Sequence, residues 1–145
     1  LSGRRDFEWL QREARALPAA LQERYRLFDY LHEELPWAMA AADLALSRSG
    51  ASVLGELPAV GLPAILVPYP HAGGHQRHNA LYLQEEGAAV VVEDRELMDR
   101  LLPLVGELLS DERRLQRMAQ AARSLARPAA ARDIARLLLE VSGGL

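Results

Sequence analysis

The stretch Leu44–Val67, LALSRSGASVLGELPAVGLPAILV, decides the fold. Leu44-Ala45-Leu46 is a brief apolar run, and Ser47-Arg48-Ser49-Gly50 breaks it. A helical pattern opens at Ala51 or Ser52 and closes at Gly61, since glycine is the usual residue just past a helix end. Ala64-Ile65-Leu66-Val67 is then continuously apolar between Pro63 and Pro68. A strand reads that way when both of its faces are covered, which is the condition of a parallel sheet sandwiched by helices. The segment therefore predicts strand, turn, helix, strand.

Working toward the carboxyl end, the unit repeats. A helix is expected over about Gln76–Glu86, Gly87 ends it, and Ala88–Val92 supplies another buried strand. From Leu97 the pattern is helical only: Leu101, Leu102, Val105, Leu108 and Leu109 form one stripe, with Pro103 expected to mark a kink or an early turn. Ser110 and Asp111 offer caps for a helix striped by Leu115, Met118, Ala119, Ala122 and Leu125. Pro128 starts a last helix carrying Ile134, Leu137, Leu138 and Val141, ended by Gly143 and Gly144. Toward the amino end, Phe7, Trp9, Leu10, Ala14 and Leu17 recur at helical spacing and Pro18 closes that segment. Tyr25–Leu31 is short and aromatic, which suits a strand, although periodicity alone also admits a helix; Leu35–Ala42 reads as a short helix. The whole is α/β with a parallel sheet and a helical tail.

Composition narrows the function. The 145 residues are 50% hydrophobic and 26% charged, the balance of one ordinary globular domain. A net charge of -3 from 17 basic and 20 acidic residues spread along the chain leaves no basic footprint, so no nucleic acid is expected as partner. No apolar run approaches the roughly 20 residues that span a bilayer, and the amino end has no signal-peptide core, so the chain reads as cytoplasmic. The absence of cysteine excludes disulfides and thiolate chemistry. The start at Leu1 rather than Met suggests a fragment, a processed chain or a sequence whose beginning has been left out.

In an open α/β sheet, ligands sit beyond the carboxyl ends of the strands. One such place is Ser47-Arg48-Ser49-Gly50-Ala51-Ser52, where small residues admit a ligand to the backbone and a helix follows with free N–H groups; it reads as an anion site for a diphosphate, or as a plain strand-to-helix turn with a serine cap. Glu56, within two turns of that helix start, is placed to accept from the vicinal hydroxyls of a ribose, or else is a solvated surface carboxylate. The other place is Pro68–Ala80, a glycine-containing loop dense in hydrogen-bonding side chains that opens a helix, as sugar hydroxyls require. The spacing of His71, His75 and His78 invites a zinc reading, but Gly73-Gly74 interrupts a common helical face and the loop holds no carboxylate, so no metal is expected. No G-x-S-x-G, Walker A or G-x-G-x-x-G sequence is present, which leaves nucleophile-elbow, P-loop and dinucleotide readings without support.

Taken in order, Ala42-Asp43-Leu44, Ser47–Ser52, Glu56-Leu57, Gly61–His71, His75-Gln76, Asn79-Ala80, Gly87-Ala88-Ala89 and the segment from Asp111 to Met118 closely resemble the MurG family of glycosyltransferases. The resemblance covers the chain from about Leu27 to its end. It implies the two-domain GT-B architecture, with residues 1–145 as the carboxyl-terminal UDP-sugar-binding domain, a Rossmann-like parallel sheet lacking its first strands. It implies a transferase that moves N-acetylglucosamine from its UDP donor to a muramyl-pentapeptide on a polyprenyl diphosphate in peptidoglycan synthesis, without metal or other cofactor. Such an enzyme works peripherally at the inner face of the cytoplasmic membrane. Substrate contacts are implied at Ala51, Ser52 and Val53, whose amides face the diphosphate, at Glu56 for the ribose, at His75 and Gln76 for the sugar and diphosphate, at Leu31 or His32 for the uracil, and further at Ser49, Gly50, His71 and Asn79. Arg48 either balances leaving-group charge or braces the loop. The acceptor site and the catalytic base are expected in an amino-terminal domain absent from these residues. Diacylglycerol glycosyltransferases and UDP-N-acetylglucosamine 2-epimerases share related architecture and stay as alternatives. If the strand order is the Rossmann 3-2-1-4-5-6, the strand at Leu44 becomes an open edge, a gap opens beside the strand near Tyr25, and pairing between isolated chains is expected.

Overall fold

A computed structural model describes residues 1–143, and it divides into two compact units, Leu1–Trp37 and Ala38–Leu145. The amino-terminal unit holds α1 (Gly3–Ala16) and α2 (Ala19–Gln22), and neither helix buries a residue. The stripe from Phe7 to Leu17 and the stop at Pro18 thus locate α1 correctly, because the extended Leu17 and the proline ring after it cannot continue a helix.

The strand expected over Tyr25–Leu31 is absent. Its backbone groups are used locally instead: the Tyr25 N–H donates to the Leu21 carbonyl at 2.9 Å, and the Phe28 and Asp29 carbonyls accept from Ser2 and Gly3 at 3.0 Å each. The Asp29 carboxylate takes the Tyr30 N–H at 2.8 Å. Aromatic content suits a strand only where a neighbouring strand completes its ladder, and of this segment's three backbone bonds only the two from Ser2 and Gly3 come from a distant stretch of the chain, where a ladder needs a run of them. With no strand here, the expected mid-sheet gap beside it has no counterpart. The short helix after it, α3, runs over Leu35–Ala40.

The carboxyl-terminal unit contains the sheet. β1 (Ala45–Ser47), β2 (Ala64–Leu66) and β3 (Ala89–Val91) are all parallel in the order β1-β2-β3, with Ala45 opposite Ala64 and Ala64 opposite Ala89. α4 (Val53–Val60) joins the first pair and α5 (His75–Glu85) the second. After a 3-10 turn at Asp94–Glu96 come α6 (Leu97–Ser110), α7 (Glu112–Ser124) and α8 (Ala130–Val141).

The continuous apolar run in β2 has the predicted cause. Side chains alternate across a strand, so Ala64 and Leu66 enter one cluster with Val53, Leu57, Ala80 and Leu83 of α4 and α5, while Ile65 and Val67 enter another with Leu104, Leu108 and Met118 of α6 and α7. β2 is fully buried along its length. β1 is at the edge, as expected, with Leu46 52% exposed.

Two helix ends show the local chemistry that fixes connection lengths. α4 stops at Gly61, whose φ of +66° a side chain disfavours; the Leu62 N–H then reaches back to the Leu57 carbonyl at 3.0 Å, closing the helix end and turning the chain into β2. Asp111, one of the two expected caps, accepts the Arg114 N–H on its Oδ1 at 2.9 Å at the start of α7. Pro103 lies inside α6, which continues through it. Gly143 follows α8, and Gly144 lies outside the described residues.

Candidate functional site

Three loops leave the carboxyl ends of the three strands. The first, Arg48–Ser52, follows β1 and enters α4. Ser49 is its anchor and is completely buried. Its hydroxyl donates to the Gln76 carbonyl at 2.8 Å, and its own carbonyl accepts from Asn79 Nδ2 at 3.0 Å. The second loop, Pro68–Gly74, follows β2; its Tyr69 N–H donates to Gln76 Oε1 at 2.9 Å. Gly73 and Gly74 carry φ of +60° and +83°, so the chain cannot run helically from His71 into α5, and the break expected between the histidines is built into the backbone. Among the described residues no three His, Asp or Glu side chains gather as a metal-holding group.

These bonds sort the residues singled out from sequence. Ser49 and Asn79 spend their polar groups on each other's segments, so they hold the two loops in register. Gln76 gives its carbonyl oxygens to Ser49 and Tyr69 and retains a side-chain N–H₂. The Ala51 and Ser52 N–H groups donate to no carbonyl or side chain of the described residues, whereas the Val53 N–H donates to the Gly50 carbonyl at 3.3 Å. Ser52 occupies the cap position of α4 without a side-chain bond, so the serine-cap account of this turn is not realised. Two free amides beside the positive end of a helix are chemically suited to accept an anion.

Glu56 is the fourth residue of α4 and is exposed; among the described residues its carboxylate has no hydrogen bond and no ion pair. His71 and His75 are exposed on the second loop and at the start of α5, the His71 ring edge-on to Tyr69 at 5.4 Å. Leu31 and His32 belong to the amino-terminal unit, where the Tyr30 and His32 rings lie 4.6 Å apart.

Arg48 is occupied. Its guanidinium donates to Asp94 Oδ1 at 2.5 Å and to the Val67 carbonyl at 3.3 Å, and its Cζ sits 5.6 Å from the Tyr69 ring centre. Of the two roles open to it, bracing is the one these contacts perform. Asp94 itself was not singled out from sequence. The rule that ligands and their supports lie just after the strands could have found it, since Asp94 follows β3 as Arg48 follows β1. Beside it an open depression of about 430 Å³ is lined by Pro70, Arg77, Glu93, Asp94 and Arg95.

Fold and site together define an α/β domain with a parallel sheet that presents a turn with two free backbone amides and a polar second loop at its strand ends. The model for the glycosyltransferase family 28 C-terminal domain matches residues 1–137, and the chain belongs to that family. It is 47% identical over 152 aligned positions to a Roseiflexus sp. (strain RS-1) protein named UDP-N-acetylglucosamine--N-acetylmuramyl-(pentapeptide) pyrophosphoryl-undecaprenol N-acetylglucosamine transferase, covering 92% of this chain and 34% of that one. A Halothermothrix orenii protein of the same name is 38% identical over 99% of this chain and 40% of its own length. The crystal structure of Acinetobacter baumannii MurG superposes with a TM-score of 0.77 at 27% identity, over 95% of this chain and 39% of that chain. The chain thus spans between about a third and two fifths of these relatives. No helix of the described residues is long and apolar enough to cross a membrane.

Proposed function

We propose that residues 1–145 form the carboxyl-terminal, donor-binding domain of a glycosyltransferase that moves N-acetylglucosamine from UDP-N-acetylglucosamine to a muramyl-pentapeptide carried on a polyprenyl diphosphate. The observation that carries this reading is the β1–α4 turn, where the Ala51 and Ser52 amides and, one helical turn on, the Glu56 carboxylate have no partner among the described residues. The diphosphate accepts from those amides, and bonds to a charged acceptor are about twice as strong as neutral ones. Glu56 accepts from the ribose hydroxyls. The free Gln76 amide, with His75 and His71, serves the sugar and diphosphate side. Support for the donor and acceptor comes from the transferase names that the relatives carry, at up to 47% identity.

The acceptor site and the base that deprotonates the acceptor hydroxyl belong to the part of the enzyme that this chain does not span. The full protein acts in the cytoplasm at the inner face of the membrane, where its lipid-linked acceptor is held. Calorimetry of UDP against full-length protein tests the donor site, and transfer to a lipid-linked muramyl acceptor tests the reaction. Transfer to diacylglycerol instead, or inversion at C2 of the free UDP-sugar, would reassign the family member while leaving the nucleotide site standing.

A further inference from the structure

We propose that Asp94 is a positioning residue for donor binding: by holding Arg48 across the ends of all three strands, it sets the β1–α4 turn in the geometry that receives the diphosphate. The inference rests on the reading of that turn as the diphosphate site. Arg48 adjoins Ser49 at the root of the turn, and its guanidinium reaches the Val67 carbonyl after β2 and the Asp94 carboxylate after β3. One side chain thus ties together three loops that no strand pairing connects. The Tyr69 ring lies beside the same guanidinium and limits where it can swing.

A planar guanidinium with several donors fixed in one plane suits this task, because two bonds in different directions determine its orientation. The pair is half open to solvent, with side chains 48% and 41% exposed, so it adds little to the stability of the fold. Its consequence falls on placement. Receiving groups must stand within roughly 0.5 Å of the productive position to hold a ligand well, and a turn whose root is loose spreads its amides over more than that. Neighbouring charges do not substitute for Asp94. Glu93 is paired with Arg77 at 3.3 Å, and Glu96 with Arg100 at 2.5 Å.

The alternative chemistry is that Arg48 is a counter-charge for the diphosphate which Asp94 masks. The two accounts predict opposite signs. Titration calorimetry on the full-length protein, with UDP and with uridine as probes, is compared among wild type, Asp94→Ala, Asp94→Glu, Arg48→Ala and the double variant. The expected result is that Asp94→Ala weakens UDP by about threefold to tenfold, leaves uridine unchanged, and is largely restored by Asp94→Glu. In the Arg48→Ala background the second change adds no further loss, because both remove one contact. Tighter or unchanged UDP binding in Asp94→Ala overturns the proposal, as does an equal loss for uridine, which would report general damage to the domain. If wild type binds UDP and Glu56→Gln weakens it while Asp94→Ala does not, only the positioning role fails. If wild type binds no UDP, the donor-site reading fails and takes this inference with it.

Discussion

A carboxylate at a helix start and a buried serine carry different kinds of information, and the site shows why. Glu56 is exposed and, among the described residues, unpaired, so its carboxylate is free to meet a ligand. Glu56→Gln should therefore weaken UDP about tenfold to a hundredfold, because hydrogen bonds to a charged group are worth roughly 1.5–3 kcal/mol, while the unfolding midpoint hardly moves. The ligand offers a cross-check: 2′,3′-dideoxy-UDP should bind wild type poorly and lose little more in the variant. Equal UDP affinity in Glu56→Gln and wild type by calorimetry would remove the ribose assignment. Asn79 predicts a different pattern. Its Nδ2 holds the Ser49 carbonyl at 3.0 Å inside the protein, so Asn79→Ala should lower thermal stability as well as affinity, leaving a buried acceptor unpaired at about 1–3 kcal/mol. Both residues were legible as site candidates from their place after a strand. Which one faces a ligand and which one faces the other loop was not, since that depends on where Ser49 and Gln76 meet in space.

Among elements, the strands of the carboxyl-terminal unit and the helices between them fell where their apolar pattern put them, to within a residue or two. That pattern is set by burial on both faces of β2, a condition the sequence displays directly as Ala64-Ile65-Leu66-Val67. Leu108 packs completely inside the cluster beneath β2, so Leu108→Ala should cost about 2–5 kcal/mol in denaturant unfolding. Leu138 shares the same kind of helical stripe but is 65% exposed on α8, and Leu138→Ala in this chain should cost far less. The stripe is readable; what covers it is not. Gly61 gives a third case. Alanine there meets a left-handed φ and the stem of Arg123, which crowds the place where the new Cβ would lie, so Gly61→Ala should destabilise by about 1–2 kcal/mol unless Arg123 swings away. Thermal melts of Gly61→Ala with and without Arg123→Ala would separate the backbone part from the steric part.

At the scale of the molecule, the open side of β1 has its own consequence. An edge strand with an exposed leucine presents unpaired backbone groups, so the isolated 145-residue chain should associate as its concentration rises. Sedimentation across a wide concentration range checks this, and a monomer throughout would refute it. The same isolated chain, spanning about a third of its relatives, should release no UDP with acceptor present, because donor binding alone supplies neither the second substrate nor its base. What the sequence by itself determined is the alternation of strand, turn and helix from Leu44 onward, the place of the turns at the strand ends, and the family, since periodicity, glycine stops and motif order are local properties written in consecutive residues. Tertiary structure alone decided that Tyr25–Leu31 is no strand, because a strand exists only with a partner to pair with. It alone decided that Arg48 is bound to Asp94, because those residues are 46 positions apart in the chain and only the parallel order of three strands brings their ends together.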